Sequence, residues 1–350
     1  MRARPTRTPF SGASIKDVAS RAGVSVATVS RVLNEKALVR EETIKRVLDA
    51  AKELRYVPHG GARSLSMRQT RTVGVVLPDL HGEFFSEVIR GIDVAARRRG
   101  FHLLVSGSHS DWTEMTAMAL AVRGRVDGLI VMVPDMDPDE VQARLPVGVP
   151  VVLLNCRASA TWSIVIDNAT GAEAMVAHLA SLGHREIAFI TGPEANADAA
   201  ERLRGWRSGM ERIGADPRPG LVAKGDFSEN GGYEAAYSLL SGERRPTAVF
   251  AANDAMAIGA LSAIREQGYE VPARIAVAGF DDIPIARFVS PPLTTVSVEI
   301  AELGRRAFEL FMEGTEPGSV PRLETLETHL VIRESCGAGV RRPLAQSVQE

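Results

Sequence analysis

The run SVATVSR near the start of the chain holds one guanidinium (Arg31), three hydroxyls (Ser25, Thr28, Ser30) and two small apolar side chains (Val26, Ala27). A guanidinium pairs in two-pronged fashion with a guanine edge, and hydroxyls reach phosphates or base edges. A helix that presented these groups on its exposed N-terminal half would suit the major groove of a DNA duplex.

Presenting that face requires a scaffold, and the flanking residues supply one. In SIKDVASRAGVSVATVSRVLN, a first helix over Ile15 to Ala22 packs through Ile15, Val18 and Ala19, and Gly23 breaks it at a turn tolerant of positive φ. Ser25 supplies the N-cap of a second helix over Val26 to Asn34, which turns Val29, Val32 and Leu33 to the core. A third helix, Glu41 to Leu54, carries Ile44, Val47, Leu48, Ala51 and Leu54 on one face. Charge agrees with this reading. Residues 1–71 hold 15 Lys or Arg against 6 Asp or Glu, residues 72–350 hold 26 against 37, and the formal total of −2 conceals a basic head on an acidic body.

The chain divides accordingly. Residues 1–13 are expected to be a flexible arm, 14–58 the helical DNA-binding domain, 59–71 a linker with breakers at Gly60 and Gly61, 72–336 a core, and 337–350 a tail. Across the core, apolar runs (TVGVVLP, HLLVSG, GLIVMV, PVVLLN, SIVID, IAFITG, LVAKGD, TAVFAAN, IAVAGF) alternate with amphipathic segments, one of them Trp112 to Gly124. That rhythm predicts an α/β protein with some ten parallel strands in two doubly wound lobes, and a ligand cleft at the carboxyl ends of the strands.

Other chemistries find little support. No GxGxxG follows the first strand, and no GxxxxGK[ST] or GxSxG occurs. The seven histidines are scattered without metal-ligand spacing, so no metal or cofactor is expected. Cys156 and Cys336 fall in or beside strands, outside any CxxC, as buried thiols of a reducing cytoplasm would. No apolar run approaches a membrane span, and NAT at Asn168 to Thr170 has no meaning as a glycosylation signal in an unsecreted chain.

The run from Ser14 to Asn34, above all GVSVATVSRVLN, resembles the helix-turn-helix of the LacI/GalR family of bacterial repressors. The resemblance continues through VDGLIV, HLASLGHREIAFITG, RLRGW, AANDAMAIGA and GFDDIPIARFVSPPLTTV into a core like that of periplasmic binding proteins. It implies that Val26, Ala27 and Arg31 read bases while Ser25, Thr28 and Ser30 touch phosphates or bases. It also implies that residues of ARSL, namely Ala62, Arg63 and Leu65, form a hinge helix on DNA whose leucine wedges into the minor groove. His59 stands where the family usually has Asn, and HGE before Phe84 replaces a small residue and proline.

In the core, the resemblance implies effector contacts from Phe84, Phe85, Asp198, Arg202, Phe227, Asn253 and Asp281. Carboxylate and guanidinium would hold hydroxyls or polar edges, and aromatic faces would stack on a ring. Each has a competing role: Arg202 a surface salt bridge, Phe85 a core residue, and Asp254, beside Asn253, a helix cap. A sugar, sugar acid, phosphorylated sugar or nucleobase would each suit such a set. The function implied is a metabolite-controlled regulator, in all expectation a repressor, binding a palindromic operator as a homodimer. The tail GAGVRRPLAQSVQE lacks leucine heptads and argues against a coiled-coil tetramer. A transport solute-binding protein shares the core fold but not the basic head, and an enzyme would need a catalytic constellation that is missing.

Overall fold

The computed structural model describes residues 13–34, 39–56, 69–109, 111, 113–114, 121–122, 124–144, 148–158, 160–242 and 245–338. The arm over residues 1–12, the hinge residues Ala62, Arg63 and Leu65, most of the segment expected to be helical over 112–124, and the tail beyond 338 lie outside the described residues. Contacts divide the chain between Thr70 and Arg71 into two compact units.

The first unit contains three helices, α1 (Ile15–Ala22), α2 (Val26–Asn34) and α3 (Glu41–Glu53). The Ser14 hydroxyl accepts from the Asp17 N–H at 3.3 Å, and the Asp17 carboxylate accepts from the Ser14 N–H at 2.8 Å, so α1 begins in a reciprocal capping box. Gly23 ends it at φ 64°. Val18, Ala19, Ala22, Val29, Val32, Val47 and Ala50 close a small core between the three helices. Arg21 on α1 pairs with Glu53 on α3 at 2.7 Å, adding a tie at the surface.

The second unit is built on two sheets. In the first lobe β1 (Thr72–Leu77), β2 (His102–Gly107), β3 (Gly128–Met132), β4 (Val151–Leu154), β5 (Trp162–Ile166) and β11 (Leu323–Leu326) run parallel in the order β11-β5-β4-β3-β1-β2. Helices α4 (Glu83–Arg98), α5 (Pro138–Arg144) and α10 (Ile300–Gly314) belong to this lobe. In the second lobe β6 (Ile187–Thr191), β7 (Val222–Lys224), β8 (Ala248–Ala251), β9 (Ala276–Asp281) and β10 (Thr294–Ser297) are parallel, and β12 (His329–Val331) adds an antiparallel edge. Its helices are α6 (Asn168–Ser181), α7 (Ala197–Arg212), α8 (Glu229–Leu240) and α9 (Asp254–Glu266). The continuous apolar runs read from the sequence are these buried strands, with β3, β4 and β8 buried at every position.

Twelve strands stand where about ten were expected, because β10, β11 and β12 add the returns between lobes. The chain passes between the lobes three times, after β5, after β10 and after β11. SIVID therefore completes the first sheet rather than opening the second. Both cysteines are buried thiols, Cys156 beside β4 and Cys336 in a short 3-10 turn, and burial pushes the Cys156 thiol up to about 11.

Close packing of α4 on α10 fixes the first lobe. A Cβ on Gly304 would stand 2.2 Å from the Val88 carbonyl oxygen, and one on Gly91 2.0 Å from that of Ala301. Gly304→Ala should therefore destabilise the core by about 1–3 kcal/mol, despite alanine's better helix propensity. A lowered urea midpoint with unchanged slope is the expected reading; a midpoint at or above the parent's would contradict the contact.

Candidate functional site

Helix α2 is capped as its sequence requires. The Ser25 Oγ accepts from the Thr28 N–H at 3.1 Å and lies 2.9 Å from the Thr28 hydroxyl. Ser25, Val26, Ala27 and Arg31 are exposed, Thr28 and Ser30 half-buried, and Val29 and Val32 fully buried. Val26 is 41% exposed, an apolar residue left on the surface at the start of the helix. Among the described residues no ion pair holds Arg31. The six residues thus share an accessible face, backed by the core that fixes it.

The second cluster lies where strand ends of both lobes meet. Arg202, 3% exposed on α7, donates from Nε to Asn168 Oδ1 at 2.8 Å and from Nη1 to the Ala252 carbonyl at 2.6 Å. Its guanidinium lies 3.9 Å from the centre of the Phe280 ring, and Nη1 stands 3.0 Å from Asp281 Oδ1, an ion pair whose geometry falls short of a hydrogen bond. Asp198, one turn earlier on α7, accepts from Asn168 Nδ2 at 2.8 Å and from Asn155 Nδ2 at 2.5 Å. Asn155 follows β4 in the first lobe, so this carboxylate ties the lobes together. Three further links join them: Asn196 to Asp135 at 2.8 Å, the Ala197 N–H to the Pro134 carbonyl at 2.9 Å, and the Ile285 N–H to the Glu83 carboxylate at 2.8 Å.

Burial dominates the acids. It raises Asp198 above the ordinary carboxylate range, with Arg202 opposing it, and raises Asp281 to about 6 against the same guanidinium. Asp254 is held well above its ordinary value by burial and then by the neighbouring Asp281.

The aromatic residues frame this network. Phe84 and Phe85, at the start of α4, meet edge to face at 5.6 Å between centroids, and both are half-buried. Phe227 adopts φ 71° and covers Gly192, where a Cβ would stand 2.4 Å from the ring. Asn253 donates to the Phe227 carbonyl and caps α9 by accepting from the Met256 N–H, each at 2.9 Å. Both ends of its amide are engaged within the protein, so it positions Phe227. Two alternatives considered for single residues fail here. Arg202 is buried rather than a surface salt bridge, and Asn253, not Asp254, caps α9. Asp254 is a buried carboxylate accepting from the Thr295 hydroxyl at 2.5 Å and the Ile283 N–H at 2.9 Å.

The profile described as "Bacterial regulatory proteins, lacI family" matches residues 14–59, and that of a "Periplasmic binding protein-like domain" matches residues 176–336. The HTH-type transcriptional repressor CytR of Escherichia coli (strain K12) is 38% identical over 335 residues, 93% of this chain and 97% of CytR. The chain belongs to the LacI family of bacterial regulatory proteins. The ribose operon repressor of the same strain is also 38% identical, over 305 residues, covering 86% of this chain and 92% of that repressor. Among solved structures, the lac repressor dimer bound to operator and the anti-inducer ONPF aligns with a TM-score of 0.83 and 31% identity, over 93% of this chain and 99% of that one.

Two members of the LacI-family cluster escaped the sequence reading, Asn155 and Asn168. Each directly follows a strand or its last turn, in PVVLLN and SIVIDN, and a polar amide at the carboxyl end of a buried parallel strand was the available signal.

Proposed function

We propose that this LacI-family regulator represses transcription by binding a palindromic operator as a dimer, and that a small metabolite in the cleft between its lobes sets its affinity for that site. The exposed, capped face of α2 on a basic unit is the observation that carries the reading. Val26, Ala27 and Arg31 are assigned to bases, Ser25, Thr28 and Ser30 to phosphates or bases, and Ala62, Arg63 and Leu65 to the hinge. One such helix reads only a few base pairs, so useful specificity needs two half-sites and a two-fold partner. The lac repressor is known as a dimer on its operator, which supports the same arrangement.

Phe84, Phe85, Asp198, Arg202, Phe227, Asn253 and Asp281 are assigned to the effector site, Asn253 through its hold on Phe227. An effector shifts DNA affinity only by binding one arrangement of the lobes better than another, and the four links across the cleft are what it would strengthen or replace. On this reading the protein acts on DNA in the cytoplasm and is not an enzyme.

Selection of the full-length protein on randomised duplexes, followed by anisotropy titration across a salt series, tests the proposal. A palindrome whose affinity falls with salt at about −0.9 per neutralised phosphate is expected. Arg31→Ala should then cost about 1–3 kcal/mol and relax preference at one position of each half-site. Unchanged affinity and preference would remove Arg31 from the interface.

A further inference from the structure

Two side-chain oxygens among the described residues are buried without a hydrogen-bond partner, Asn155 Oδ1 and Asp281 Oδ1. Each residue is 5% exposed and lies at the carboxyl end of a buried strand, Asn155 in the first lobe and Asp281 in the second. Both belong to the network of Arg202 and Asp198. A buried acceptor left unmet is costly, and a ligand O–H or N–H would satisfy it. An ionised phosphate or carboxylate oxygen would not, because it too can only accept.

Charge points the same way. Arg202 has already given Nε to Asn168 and Nη1 to Ala252, and it stands between two acids, Asp281 and Asp198. An anion drawn to it would have to sit against both carboxylates in a site sheltered from water. Helix N-termini are the other usual attraction for anions. Those following the strand ends already carry acceptors of their own: Glu83 in α4, Asp167 capping α6, Asn196 and Asp198 at α7, and Asn253 capping α9.

Resting on the reading of this cleft as the effector site, we infer that it takes an uncharged ligand with neighbouring hydroxyls, the chemistry shared by a free sugar and the ribose of a nucleoside, and rejects phosphorylated or carboxylated forms. Asn155 and Asp281 each accept a hydrogen bond from that ligand. The discrimination is built into the pocket by its surplus of acceptors.

Calorimetric titration of the full-length protein with matched pairs tests this: ribose and ribose 5-phosphate, glucose and gluconate, adenosine and adenosine 5′-monophosphate. A neutral member should bind at least about tenfold more tightly than its anionic counterpart. Asp281→Asn and Asn155→Ala, each checked for folding by circular dichroism, should weaken that binding by about tenfold or more. The sugar and nucleoside pairs separate the two sources of the hydroxyls. An anionic member that binds best, and is weakened by the same substitutions, would overturn the charge selectivity while leaving the effector site in place. Binding indifferent to both substitutions, or no binding by any pair, would overturn the effector reading of this cleft itself.

Discussion

Arg202→Met should destabilise the two-lobed core by about 3–5 kcal/mol near pH 8, because it strands buried acids that now face a guanidinium. The loss should shrink as pH falls, and the sign follows from the acids. Burial holds Asp281 at about 6, above its unfolded range, and holds Asp198 raised as well, while Arg202 opposes both shifts. An acid whose folded pKa is raised contributes stability below its unfolded pKa and loses that contribution as pH rises through the folded one. For Asp281 the window runs from about 4 to about 6 in the parent. Without Arg202 its upper edge moves higher, and protonation rescues the variant at pH 5 but not at pH 8. Urea midpoints at the two pH values measure this. An equal deficit at both would assign the loss to packing against the Phe280 ring, 3.9 Å away, instead of to charge.

Local chemistry made the first unit legible. The box between Ser14 and Asp17, the left-handed Gly23 and the Ser25 cap each lie within a few residues of what they stabilise, so the string itself displays them. The strands were legible because β3, β4 and β8 are buried on both faces and read as unbroken apolar runs. Two features were not legible, for one reason. Asn155 meets a partner 43 residues away in Asp198, and Asn168 one 30 residues away, and no local pattern says which strand ends converge. Asp254 shows the same limit at closer range. Asn253 and Asp254 are equally plausible caps in sequence, and only Thr295, 41 residues on, draws the second one inward. The returning strands β11 and β12 likewise take their place from partners far away in the chain, and that moved β5 into the first sheet.

Asp281→Asn should make the protein more stable and less responsive at once. The parent carboxylate is ionised near pH 8 at a cost set by the gap between about 6 in the fold and its ordinary value, an upper bound of about 3 kcal/mol. A neutral amide of the same shape avoids that cost, so the urea midpoint should rise at pH 8 and the gain should vanish near pH 4. The backbone adds a reason to expect tolerance. Asp281 at φ 111° is followed by Asp282 at φ 60°, and asparagine enters the left-handed region as readily as aspartate. Asp282, held by Arg333 at 2.6 Å, keeps the turn in place. Operator affinity without metabolite should stay within about twofold, since α2 is untouched, while the shift on adding effector is lost. Such a variant would repress and fail to respond. A midpoint lower than the parent's at pH 8, or an intact effector response, would show that Asp281 is a structural counter-ion to Arg202. A rise in stability with loss of response would instead mark it as a charge kept buried, at a cost to the fold, for the ligand it receives.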